Sequence, residues 1–136
     1  MDASEFVFVD TSAWFDYFIA NQKHTEALRP LIELNAGALR TTDHIVCELF
    51  NLIDARIQNA KCESIWQWLN NSTYTTILST SRVDLTAAFT IYSKFFDKRW
   101  SFTDCLSYHF IRTLKIPTAL SLDRHFREFG VVSVLP

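Results

Sequence analysis

Short, uninterrupted apolar runs that end on an aspartate alternate in this chain with stretches of helical periodicity. Phe6-Val7-Phe8-Val9 is closed by Asp10, and Thr118-Ala119-Leu120-Ser121-Leu122 is closed by Asp123. A continuous run of this kind, unlike an alternating one, predicts a strand covered on both faces, as in a parallel sheet. Carboxylates beside such core-forming segments are costly unless something positive compensates them. The pattern therefore constrains the fold and the chemistry together.

Between the runs the spacing turns helical. Thr11 or Ser12 can cap a helix that carries Trp14, Phe15, Phe18 and Ile19, and a second helical piece runs from about Thr25 to Leu34, stopping near Gly37. Ala38 to Thr42 fits a short strand. Asp43 is placed to cap a helix with Ile45, Leu49, Leu52, Ile53 and Arg56 at helical spacing, Glu48 standing beside that stripe. Ile65, Trp66 and Leu69 suggest a short helix, and Tyr74 to Leu78 a strand. Ser81 with Asp84 reads as a capping box for an amphipathic helix of Leu85, Ala88, Phe89, Tyr92 and Phe96. Ser101 or Thr103 can cap the next helix, with Leu106, Phe110 and Leu114, and Val131 to Leu135 fits a last strand. Strands alternating with helices predict an α/β fold with a mostly parallel sheet in a single domain, residues 1–136.

Composition narrows the function. Two glycines, Gly37 and Gly130, leave no P-loop, no dinucleotide-binding fingerprint and no nucleophile elbow. Cys47, Cys62 and Cys105 form no Cys-x-x-Cys pair, so buried reduced thiols are expected rather than disulfides or a cysteine-rich zinc site. The net charge of −2 provides no overall basic field for nucleic acid. The acidic start Met1-Asp2-Ala3-Ser4-Glu5 lacks the basic region of a secretory signal, and no apolar run reaches the roughly 18 residues of a membrane span. A cytoplasmic protein without membrane contact is expected.

Asp10 and Asp123 at strand ends, Asp104 at a helix start and Glu48 on a helix can all reach the edge where parallel sheets bind ligands. Two unit charges about 5 Å apart repel by roughly 3 kcal/mol at an effective dielectric of about 20. A hard divalent cation, magnesium or manganese, removes that conflict and supplies a water nucleophile.

The ordered motifs Val9-Asp10-Thr11-Ser12-Ala13-Trp14, Thr42 to Glu48, Ser101-Phe102-Thr103-Asp104-Cys105-Leu106-Ser107 and Ser121-Leu122-Asp123-Arg124-His125-Phe126 resemble those of the PIN-domain ribonucleases. Within that group the chain is similar to the VapC-type toxins of toxin–antitoxin systems. The resemblance implies a three-layer α/β/α sandwich and magnesium- or manganese-dependent cleavage of RNA by an activated water. It implies Asp10, Glu48, Asp104 and Asp123 as catalytic and metal-binding acids. Thr11, Ser12 or Thr103 would orient a carboxylate or a water, and Arg124 or His125 would contact phosphate. It further implies a homodimer and an antitoxin partner, with a catalytically silent RNA-binding or scaffold module as the alternative. Arg124, His125 and Phe126 follow Asp123 where some relatives add another acid, which supports one metal ion better than two.

Rival chemistries fit less well. His44, Cys47 and Glu48 can share a helix face, but no second cluster completes a zinc site. Ser12 stands where an aspartyl-phosphate phosphatase of the haloacid-dehalogenase type wants a second aspartate, and no receiver-like pattern of early paired acids and late lysine is present. Trp14, Trp66, Trp68 and Trp100 are expected mainly in the core or at an interface. Trp66 and Trp68, two apart, cannot face one side of a helix. Lys94, Lys98, Arg99, Arg112 and Lys115 flank Asp104 and offer a basic rim for RNA.

Overall fold

The computed structural model describes residues 2–58 and 61–136; Met1, part of the acidic start, lies outside them. Strands β1 (Val7–Val9), β2 (Leu39–Thr42), β3 (Thr75–Leu78), β4 (Thr118–Leu120) and β5 (Ser133–Leu135) form a parallel sheet in the order β3-β2-β1-β4-β5. Between them run α1 (Thr11–Phe18), α2 (Thr25–Glu33), α3 (Asp43–Arg56), α4 (Cys62–Leu69), α5 (Arg82–Lys94), α6 (Phe102–Leu114) and α7 (Arg124–Glu128). Right-handed crossovers put α1 to α4 on one face and α5 to α7 on the other, which gives the three-layer α/β/α sandwich. Among the described residues, no helix is long and apolar enough to cross a membrane.

The continuous apolar run of β1 is explained by its place. It is the central strand, and Val7, Phe8 and Val9 are all buried. Each face has its own aromatic core. Trp14 stacks on Phe18 and meets Trp68 edge-on, while on the other face Trp100, Tyr108, Phe126 and Phe129 interlock. Both buried indoles are satisfied: Trp14 Nε1 donates to Thr41 Oγ1 and Trp100 Nε1 to Glu128 Oε1, each at 3.1 Å. Trp66 is 44% exposed while Trp68 packs against Trp14, as their spacing demands.

Several local expectations are corrected. Thr42, not Asp43, caps α3 through its side chain, accepting from the Ile45 N–H; Asp43 instead accepts from the Thr80 N–H and hydroxyl. Of the two candidate caps of α6, Ser101 takes the role, in a full capping box with Asp104. Strand β4 ends at Leu120, and the rest of its apolar run, buried Ser121 and half-buried Leu122, is a loop leading into α7, with Asp123 as cap. A loop packed on the core and a buried strand carry similar composition, so periodicity does not separate them. Cys105 is buried as expected, but Cys47 is exposed. On α5 the apolar stripe does not all face inward: Leu85 is 39% and Phe89 59% exposed, and Phe96, in the short 3-10 turn Phe96–Lys98, is 68% exposed. Ala88 is the fully buried residue of that helix.

Candidate active site

After β1 the chain leaves the sheet in one direction to build β2 and β3, then returns to the other side of β1 for β4. The strand order reverses between β1 and β4, and a ligand crevice opens at the carboxyl ends of strands at such a point. Asp10 directly follows β1 and Asp123 lies three residues beyond β4. A cleft of about 430 Å³ at this place is lined by Asp10, Glu48, Asp104 and Asp123 together.

Asp10 is held by two hydroxyls. Ser12 Oγ and Ser121 Oγ donate to its Oδ2 at 3.2 and 3.0 Å. Each of these hydroxyls in turn accepts a backbone N–H: Ser12 accepts that of Leu122 from the loop after β4, and Ser121 accepts that of Asp123 within its own loop. The loop after β1 and the loop after β4 are thereby tied through one carboxylate. Asp10 is also the N-cap of α1, a place expected for Thr11 or Ser12, although its side chain makes no capping bond. Freed from capping, Thr11 donates its hydroxyl to Glu48 Oε1 at 2.8 Å and fixes the α3 carboxylate against the start of α1.

Asp104 stands in the first turn of α6. Its Oδ2 accepts the Ser101 N–H at 3.0 Å, and its own N–H donates to Ser101 Oγ. Asp123 Oδ1 accepts the His125 N–H at 2.9 Å. Burial pushes the Asp10 carboxyl up to about 7, and the neighbouring charges of Asp104 and Asp123 add to the rise. Burial also raises Asp104, against the lowering effect of the Ser101 N–H. Burial is the larger cause in both, and the mutual repulsion of acids gathered in one cleft adds to it.

The remaining expectations sort by position. Ser12 and Thr11 hold acids as described, whereas Thr103 lies outside the cleft lining. Arg124 is exposed and also outside the lining, while the His125 ring turns inward, its Nδ1 3.1 Å from Asp104 Oδ2 and 3.5 Å from Asp123 Oδ1. Donor atoms of Asp104, Asp123 and His125 lie within 4.8 Å of one another; Asp10 and Glu48 line the same cleft outside that tighter group. Of the expected basic rim, Arg99 reaches the cleft, with a left-handed backbone at φ 61. Arg112 lies over the Tyr108 ring, and Lys115 ends α6, about 18 Å along that helix from its first turn. Arg56 and Ser121 are the cleft residues that the sequence does not point to. Arg56 stands at helical spacing with an apolar stripe, and no local pattern marks a serine that bonds a carboxylate 111 residues away.

His44 is occupied elsewhere, its Nδ1 against Asp43 and Thr80, while Glu48 bonds Thr11, so the conceivable zinc face is split. The donor set in the cleft is carboxylate oxygen with one imidazole nitrogen nearby, a set that suits a hard divalent cation.

The PIN domain family model matches residues 7–132. The chain belongs to the PIN domain family. Among solved structures, this PIN domain is similar in fold to the sarcin–ricin loop cleaving toxin VapC20 of Mycobacterium tuberculosis, with a TM-score of 0.85, 22% identity, and 96% of this chain and 99% of that one covered. PAE2754 from Pyrobaculum aerophilum matches with a TM-score of 0.67 at 13% identity, covering 95% of this chain and 88% of that one. FitAB, in a structure bound to the IR36 DNA fragment, matches with a TM-score of 0.67 at 16% identity, covering 96% and 94%. No curated relative matches the sequence.

Proposed function

We propose that residues 1–136 act as a single cytoplasmic PIN domain that hydrolyses RNA phosphodiester bonds with magnesium or manganese, as the toxin of a toxin–antitoxin pair. The observation that carries this reading is the convergence of Asp10, Glu48, Asp104 and Asp123 in one cleft of a PIN domain. Their clustering, with Asp10 and Asp104 both raised by burial, supports a cation as the missing counter-charge. Bound there, the cation would supply a water nucleophile at neutral pH and neutralise charge on the phosphoryl group.

The chain's own residues then have distinct tasks. Asp104 and Asp123, whose donor atoms lie together, would hold the cation, and Asp10 and Glu48 in the same cleft would hold it or its waters. Ser12, Ser121 and Thr11 fix the orientations of Asp10 and Glu48 through the bonds described. Arg56 and Arg99, at the same cleft, receive the phosphates that flank the scissile bond.

The partner surface is proposed from exposure. Phe89, Tyr92, Phe96, Trp100 and Phe102 line a groove that shares Arg99 and Ser101 with the acidic cleft. Phe89, Phe96 and Phe102 are exposed along it, a grouping that marks an interaction face, and a second copy of the chain seated there gives the homodimer. The end groups of the RNA fragments test the chemistry. Attack by an activated water with the 3′-oxygen as leaving group leaves 5′-phosphate and 3′-hydroxyl ends, whereas 2′,3′-cyclic phosphate ends would show that the RNA's own 2′-hydroxyl is the nucleophile and would overturn the reading.

A further inference from the structure

We propose that His125 supplies a nitrogen ligand to the cation of the acidic cleft and thereby makes this chain favour manganese over magnesium. The inference rests on the metal-dependent reading above and concerns a residue outside the four carboxylates.

The backbone of His125 is set by the cluster itself, because Asp123 caps α7 by accepting the His125 N–H. The ring then falls back over the cleft instead of out into solvent, its side chain only 19% exposed. Its Nδ1 sits 3.1 Å from Asp104 Oδ2 and 3.5 Å from Asp123 Oδ1. Bonds of about 2.1 Å to a six-coordinate cation place adjacent donor atoms about 3.0 Å apart. The separation of Nδ1 from Asp104 is that of two neighbouring ligands, and the separation from Asp123 needs only a small contraction.

The ligand type carries the selectivity. Magnesium holds its waters tightly and prefers oxygen, whereas manganese accepts imidazole among carboxylates. The other histidines are engaged at other places: His24 beside Asp16, His44 between Asp43 and Thr80, and His109 against Asp84. Nitrogen seen at a cation in this cleft is thus assignable.

The test is pulsed electron paramagnetic resonance of manganese bound to the full chain, read for nitrogen coupled directly to the ion. The expected result is an imidazole signal that changes when the chain carries 15N-histidine and disappears in His125→Gln. In that variant manganese affinity should fall about tenfold while magnesium affinity changes less than about twofold. Isotope labelling of the unsubstituted chain gives the answer even where His125→Gln folds poorly. Manganese bound through Asp104, as judged by its loss in Asp104→Asn, but with no nitrogen coupling, or with coupling that survives His125→Gln, overturns the nitrogen ligand and leaves the acidic site standing. Failure of the unsubstituted chain to bind manganese overturns both.

Discussion

Replacing Asp10 with asparagine should stabilise the metal-free protein at alkaline pH and flatten its pH dependence. Burial raises this carboxyl from 3.8 to about 7, with Asp104 and Asp123 close enough to add to the rise. An acid whose folded pKa lies above its unfolded pKa holds its proton more tightly in the folded state. Its contribution to stability is therefore present below the unfolded value and lost as pH rises through the folded one. With limits of 3.8 and about 7, moving from pH 5 to pH 8 should remove about 3 kcal/mol through this single group. The asparagine oxygen can still accept from Ser12 and Ser121, so the substitution removes the charge and keeps both hydroxyl bonds. Urea unfolding with chelator present, at several pH values between 5 and 8, measures the effect. The original chain should lose about 3 kcal/mol across that range, and Asp10→Asn should lose less than about a third of it and be the more stable of the two at pH 8. Equal slopes, or a variant less stable at pH 8, would refute the idea that Asp10 is an uncompensated buried charge.

Other perturbations probe separate parts of the account. Ser121→Ala removes the hydroxyl that donates to Asp10 and accepts the Asp123 N–H, and should cost about 1–3 kcal/mol in unfolding experiments at neutral pH. Arg99→Ala should raise KM for RNA severalfold with kcat within about twofold, and reduce the salt dependence of binding by about one unit of slope. Phe89→Glu combined with Phe96→Glu should convert a dimer to a monomer in sedimentation experiments with little change in Tm, since both side chains are already largely exposed; an unchanged dimer would place the interface elsewhere.

Much of the fold was legible because a central parallel strand must be apolar at every position, and Phe6 to Val9 is. The same run locates Asp10 at the strand's carboxyl end, and the candidate caps Ser101 and Thr103 locate Asp104 at a helix start. What stayed hidden depends on contacts across the chain. Ser121 matters because the sheet order brings β4 beside β1, and nothing near Ser121 in sequence encodes that neighbour. His125 reads as a loose phosphate contact until the short α7 turns its ring onto Asp104. The period of α5 correctly marks a helix but cannot say that Phe89 faces away from the core, because periodicity reports a stripe and not what covers it. Thr11 shows the reverse case: it was expected to orient a carboxylate, and in the structure it donates to Glu48.

On the proposed function, the four converging carboxylates hold a cation that cuts RNA. The most direct measurement follows cleavage of total RNA by the purified chain with added manganese or magnesium, in parallel with Asp104→Asn and with chelator. Asp104 bonds Ser101 in the capping box and His125 across the cleft, and the folding of the variant is checked by its circular dichroism in the same samples. Cleavage should require the cation and fall by at least about a hundredfold in the folded variant. Cleavage that persists undiminished in chelator or in Asp104→Asn, or a folded chain that binds manganese yet leaves RNA intact, would contradict it.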